Sequence, residues 1–203
     1  MSLKKKNTRA RLRITRRLGD LPGLTTKTSK RAQGPGQHGQ TRQKQSQFRI
    51  RLQAKQKLRF NYGVNERMLR RYVHKARRSA GSTGVILLQL LEMRLDNIVF
   101  RLGLTPSIRA ARQFISHGHI VVNDRKINCP SYQCRVNDLI SIATQTRSQR
   151  VVQSFQRESA GQNVPSFLKF DTAKMCGKVQ ALAQRHEVGV ELNELLVIEF
   201  YSR

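Results

Sequence analysis

The sequence predicts an α+β protein, mainly helical, with one small module of two helices packed on a short β-sheet. Three observations carry this. Residues 47–78 repeat apolar positions at helical spacing with cations on the other faces. Residues 92–142 open on the same spacing and then change to β-branched runs separated by turn-prone pairs. Residues 1–46 show little periodicity and are broken by Gly19, Pro22, Gly23, Gly34, Pro35, Gly36 and Gly39, which reads as an irregular basic arm.

In order along the chain, the arm is expected to be partly disordered alone and to order on a polyanion, where charge neutralisation offsets the entropy lost. Its GPGQHG run lacks the closing Gly-Lys-Ser/Thr of a nucleotide-phosphate loop, so nucleotide hydrolysis is not expected. In 46–63 Phe48, Leu52 and Lys55 share one line and Ile50, Ala54 and Leu58 another, with Gly63 ending the run. Asn65 is the expected cap of the next helix, whose stripe is Met68, Leu69, Tyr72, Val73 and Ala76. Arg67, Arg70, Arg71, Lys75, Arg77 and Arg78 occupy its other faces. Phe60 reads as helix-end packing, whereas Tyr62 suits either packing or stacking on a base. Gly81-Ser82-Thr83-Gly84 breaks the pattern, and 85–102 can be read as one continuous helix.

In the central stretch Leu91, Leu95, Ile98, Val99 and Leu102 form one stripe closed by Gly103. Ser107 is the expected cap of a second helix, with Ile108, Ala111, Phe114 and Ile115 on its buried face and Gly118 at its end. Ile120-Val121-Val122, the turn Asn123-Asp124, Arg125-Lys126-Ile127, and Leu139 to Ile142 are the strands. Helix 108–117 carries two arginines and no acid, where a merely solvated face would mix signs, so it reads as phosphate-facing. Beyond it, a helix is expected around Val151, Val152 and Phe155, and PSFLKFD reads as strand-like or irregular. At the C-terminus Asn193 and Glu194 favour a helix while Val197-Ile198 favour a strand; helix is the expectation.

The formal net charge is +27, and the first 91 residues hold 24 Lys+Arg against 2 acids. A surplus of that size calls for a polyanionic partner. Membrane is the competing anion, yet no run approaches the roughly 20 apolar residues of a bilayer span. The N-terminus also lacks the apolar core of a secretory signal. Cys129, Cys134 and Cys176 form no metal-ligand spacing, and His117-Gly118-His119 has no further ligand nearby. No metal, cofactor or small-molecule substrate is expected.

The strings RLDNIVFRLG, ARQFISHGHIVVN and PSYQCRVNDLISI closely resemble the small RNA-binding module named after the fourth small-subunit ribosomal protein. Asp124 and Asn137 stand where that module commonly has glycine. Both residue types tolerate left-handed backbone, so the fold is expected to survive them. RRLGDLPGLT, GQHG, SQFRIRLQAKQKLRFNYGVNERMLRRYV and NELLVIEFYSR extend the resemblance to that ribosomal protein family over essentially the whole chain.

The resemblance implies three parts: an irregular arm 1–46, a mainly helical domain of 47–91 plus 143–203, and the inserted module 92–142. It implies direct binding of small-subunit rRNA, nucleation of subunit assembly, and a part in decoding accuracy beside neighbouring small-subunit proteins, the fifth and third. The module's RNA face is then Arg109, Arg112, Gln113, His117, His119, Arg125 and Lys126. The helical domain's is Arg49, Arg51, Lys55, Lys57, Arg59, Tyr62, Arg70, Arg71 and Lys75. Some members of the family hold zinc on four N-terminal cysteines, and this chain has none before Cys129.

GSTGVILLQLLEMRLDNIVFRLG and SYQCRVND are most similar to plastid members, which implies the chloroplast stroma, with cyanobacterial cytoplasm as the alternative; in a plastid-borne gene Met1 is the expected true start. Two other functions would also use such a module. In an RNA-modifying enzyme of the pseudouridine-synthase kind, Arg94-Leu95-Asp96 would be the aspartate motif, but Asp96 is better read as a structural ion-pair partner. A free RNA chaperone would not need the helical domain and C-terminal tail.

Overall fold

A computed structural model describes residues 6–31, 33–41, 44–144, 148, 152, 155, 164–171 and 175–202. The fold is α+β, as expected, and forms two compact units: Met1–Gly84 with Val190–Arg203, and Val85–Gly189.

The first unit is helical. α1 runs over Lys6–Leu18, a correction to the irregular arm. Every glycine and proline cited against a helix lies at residue 19 or beyond, so nothing in 6–18 interrupts one. Gly19 ends it at φ 87°. A 3-10 turn, Gln37–Gln40, lies in the glycine-rich loop. Arg16 donates to the carbonyls of Gln33 and Gly34 at 2.9 Å each, tying that loop to α1. α2 is Gln47–Asn61, capped by Ser46; α3 is Glu66–Arg78, capped by Asn65, whose Oδ1 accepts from Met68 N at 2.8 Å. Buried Asn61 accepts from Gly23 N at 2.9 Å, seating Leu21 and Leu24 in the core with Leu58, Tyr62, Leu69, Val73 and Ala76. Burying each of these leucine and valine side chains is worth about 1.5–3 kcal/mol. The C-terminal segment is the helix α7, Glu194–Tyr201, packed mainly on α2 with its Val197 fully buried.

The second unit holds most of α4 (Thr83–Glu92), then α5 (Leu95–Arg101) and α6 (Ile108–Ser116). Its sheet is β1 Ile120–Val122, β2 Arg125–Lys126, β3 Leu139–Ile142, β4 Leu168–Asp171 and β5 Cys176–Val179. The order is β2-β1-β3-β5-β4, every pair antiparallel. The continuous helix over 85–102 is broken at Met93 and Arg94. Arg94 is extended (ψ 139°) and bridges Gln133. Residues 130–134 cross the break: Tyr132 and Pro130 carbonyls accept from Leu95 and Asp96 N–H, and Met93 O accepts from Cys134 N. That loop serves the end groups which a helix boundary leaves unpaired.

β4 and β5 extend the module's own sheet, so residues 164–189 do not belong to the helical unit as the resemblance implied. Leu139 pairs with Lys178 and Ile140 with Gly177. A Cβ on Gly177 would lie 2.5 Å from Leu102 Cδ1, so β5 lies flush against the residue that caps α5, an approach open only to glycine. Of the helix expected around Val151, only Ser148, Val152 and Phe155 are described, all helical; Val151 lies outside the described residues.

Candidate nucleic-acid interface

In the first unit the surface is built by α3. Its stripe Leu69, Tyr72, Val73 and Ala76 is buried, so helical spacing turns Arg67, Arg70, Arg71, His74, Lys75, Arg77 and Arg78 outward, all exposed. The helix's one acid, Glu66, is drawn away by Lys55 Nζ at 3.1 Å and the Tyr201 hydroxyl at 2.6 Å. Cations in the last turn also complement the helix's negative end.

α2 is different, because its cations are spent inside the unit. Arg51 Nε pairs with Glu199 at 2.6 Å and Lys57 Nζ donates to Glu191 O at 2.8 Å. Arg59 bonds Gln56 and lies 5.0 Å from the Phe60 ring centroid. Arg49 is half-buried. Two expectations are corrected. Lys55 is 6% exposed, bonded to Glu66 and 4.2 Å from the Phe200 centroid; Tyr62 is 1% exposed and offers no ring to a base. The apolar run around Leu58 carried both into the core.

Burial pushes Glu66 up, but hydrogen bonds from Tyr201 and Lys55 and the charges of Lys55 and Arg59 outweigh it and hold the carboxyl below its ordinary 4.5. Burial, together with the hydrogen bond to Glu66 and its charge, pushes the Tyr201 phenol up. Because the folded value lies below the unfolded one, this stabilisation is complete above about pH 4.5 and is lost as pH falls through the folded value. Glu66→Gln is therefore expected to flatten the fall in melting temperature between pH 5 and pH 3 by an amount worth under about 1 kcal/mol, since its side chain is 37% exposed and screened. Parallel melting curves for variant and wild type would show that the pairing contributes nothing.

In the second unit the surface is the end of α6 with the β1–β2 hairpin. Ser107 caps α6, its Oγ accepting from Ala110 N at 3.3 Å. Gly118 ends α6 at φ 74°, and a Cβ there would meet Lys126 Cε at 2.2 Å, so the Lys126 stem lies across the helix end. Asn123 and Asp124 form the two-residue turn at φ 46° and 63°, the left-handed pair that suits hairpin twist. Asn123 also bonds Asp138 and Leu139 N at 2.9 Å each, locking the hairpin to β3. Asn137 is left-handed as well, at φ 73°. Gln113, His117, Arg125 and Lys126 are exposed and gathered at this corner, and Arg109 is half-buried.

Arg112 and His119 are held by the protein. Arg112 Nε donates to Asp96 at 2.7 Å; Asp96 is 1% exposed and also takes both arms of buried Arg94 at 2.9 and 2.7 Å. Asp96 is thus the structural ion-pair partner that its position suggested. Beside it, fully buried Glu92 binds Asn97 at 2.6 Å and Arg101 at 3.1 Å. His119 stacks on Phe114 with centroids 4.8 Å apart and meets Ser148 Oγ at 2.9 Å.

Among the described residues no His, Cys, Asp and Glu cluster could hold a metal, and no helix is long and apolar enough to cross a membrane. Cys134 is buried, which pushes its thiol far up. Arg67, Arg77 and Arg78 were not among the expected site residues, although the stripe that exposes Arg70, Arg71 and Lys75 exposes them too. The chemistry available on both surfaces is multivalent phosphate contact from rigid elements.

Residues 6–92 match the ribosomal protein S4/S9 N-terminal domain and residues 93–140 the S4 domain, the join falling at the α4–α5 break. The chain is 56% identical over 193 residues to the small ribosomal subunit protein uS4 of Nostoc punctiforme, covering 95% of this chain and 96% of that one. It is 57% identical to that of Thermosynechococcus vestitus at the same coverage, and 56% identical to that of a Picosynechococcus strain over 194 residues, 96% of each. The chain belongs to the uS4 family of small ribosomal subunit proteins.

Proposed function

We propose that this chain is a structural component of the small ribosomal subunit which binds small-subunit rRNA directly, nucleates assembly of the subunit and contributes to decoding accuracy. The observation that carries the reading is the near-full-length identity to proteins named for that subunit. The acid-poor outer face of α3 and the cationic corner of α6 and the hairpin supply the phosphate contacts it needs. Specificity would come from the shape of a folded RNA junction, since both surfaces are rigid and charged rather than deep. In this reading the fifth and third small-subunit proteins are its neighbours. The three parts implied by the resemblance are redrawn so that 164–189 go with the module.

The similarity to cyanobacterial proteins, together with the plastid-like wording of 81–103 and 131–138, favours a chloroplast ribosome in the stroma; a cyanobacterial cytoplasm is the alternative. The test is sedimentation of a native lysate through sucrose at physiological and at high salt, probing for this chain. It is expected to travel with the small subunit at both salts. Release at moderate salt, or a peak on immature particles alone, contradicts an integral subunit protein and favours an assembly factor.

A further inference from the structure

In the first unit α1 and α2 leave between them an open-sided pocket of about 370 Å³. Its floor is largely apolar. Helical spacing puts Ile14 and Leu18 on one line of α1 and Leu52, Gln56 and Phe60 on one line of α2, all half-buried. The rim is cationic: Arg13 and Arg17 come from α1, Arg49 and Arg59 from α2, with no acid among the lining residues. Arg13 and Arg17 are exposed, and the Arg59 guanidinium lies over the Phe60 ring, 5.0 Å from its centroid. Gln53 and Gln56 add amides that both donate and accept; Gln56 Oε1 accepts from Arg59 at 3.3 Å and its amide hydrogens remain as donors. On the same stripe of α1 as Ile14 and Leu18, Arg11 has a buried Nε with no hydrogen-bond partner among the described residues. A buried donor left unpaired costs free energy until an acceptor reaches it.

We infer that this pocket takes one unpaired nucleotide of the bound rRNA, its base against Phe60 and the aliphatic floor and its phosphates toward Arg13 and Arg17. The volume lies near the lower end for small-ligand sites, with room for one nucleotide and too little for a helix or strand of a protein neighbour. An aromatic ring and guanidinium planes above an apolar floor suit a splayed-out base, which stacks through its faces while its phosphates stay charged. The two amides supply the hydrogen bonds that a base edge requires. An apolar protein side chain would fill the floor but leave four arginines without counter-charge. The unpaired Arg11 Nε is a donor that a phosphate oxygen of the same strand would satisfy. This rests on the rRNA-binding reading and adds to it a base pocket whose Ile14, Gln53 and Phe60 carry no charge.

The test uses the full chain and small-subunit rRNA. Ultraviolet cross-linking of the wild type is expected to join Phe60 to a single unpaired nucleotide. Phe60→Ala is expected to weaken binding about 10-fold with its salt slope unchanged, while Phe60→Tyr keeps wild-type affinity. Arg13→Gln with Arg17→Gln is expected to lower the salt slope by about one unit per lost phosphate contact. Removing the base of the cross-linked nucleotide should cost the wild type the same factor and cost Phe60→Ala nothing further, a non-additivity that a folding defect does not produce. The abasic rRNA measured with the wild type stands even if Phe60→Ala melts early. Additive losses, or full affinity in Phe60→Ala with no cross-link at residue 60, overturn the pocket and leave rRNA binding standing. Failure of the wild type to bind rRNA at all would sink the underlying reading instead.

Discussion

Asp96→Ala is expected to destabilise the second unit by about 3–5 kcal/mol, the range for breaking one side of a buried ion pair. For a unit of this size that lowers the melting temperature by more than about 10 °C. The carboxylate is 1% exposed and receives Arg94 on both oxygens and Arg112 on one. Removing it leaves the Arg94 guanidinium, itself 4% exposed, without its counter-charge at the start of α5. Asp96→Asn keeps one acceptor oxygen but not the charge, so its loss should be smaller and its melt intermediate. Thermal unfolding followed by circular dichroism decides this. A loss below about 1 kcal/mol for Asp96→Ala would mean that the unit relaxes and resolvates Arg94. The same experiment bears on binding, because Asp96 is what aims Arg112. Asp96→Asn, still folded at 20 °C, should bind rRNA more weakly than its modest destabilisation explains.

Neutralising the outer line of α3, Arg71→Gln with Lys75→Gln and Arg78→Gln, is expected to produce the largest loss of affinity. These three lie on one side of the helix and are exposed. Each phosphate contact contributes about 0.9 log units at 0.1 M salt to an ideal duplex and about 0.7 to a single strand. Three lost contacts therefore predict a decrease on the order of 100-fold or more, with the salt slope reduced by about two to three units. Stability should change little, since no ion pair involves any of them among the described residues. Titration of rRNA at several salt concentrations gives both quantities. An unchanged slope would remove α3 from the interface.

The two helical surfaces were not equally legible. α3 could be read directly: Asn65, a clean stripe and six arginines and lysines on the remaining faces leave a single orientation. α2 could not, because its basic residues lie on every side. The partners that claim Arg51 and Lys57, Glu199 and Glu191, are more than 130 residues away in sequence. Lys55 is likewise covered by the distant Phe200 ring, and Tyr62 is buried in the same core as the distant Leu21 and Leu24, so both read as surface groups and are core. In the module, Ser107, Gly118, the Asn123-Asp124 turn and Asn137 were readable since each answers a local backbone demand. The holding of half-buried Arg112 and His119 by the protein depends on Asp96, Phe114 and Ser148, and only for Asp96 did the sequence carry a hint.

By itself, then, the sequence determined the α+β class, the caps and turns, the stripes of α3 and α6, the polyanionic partner and the family. The family rests on the resemblance of its motifs; the others follow from local propensity, periodicity and summed charge, which need no knowledge of distant neighbours. The tertiary structure decided the rest. It broke the 85–102 helix because residues 130–134 could serve the exposed backbone ends, and it carried β4 and β5 to β3 through pairing across more than thirty residues. It also chose which cations remain outside, because an ion pair forms only where folding brings its two partners within reach.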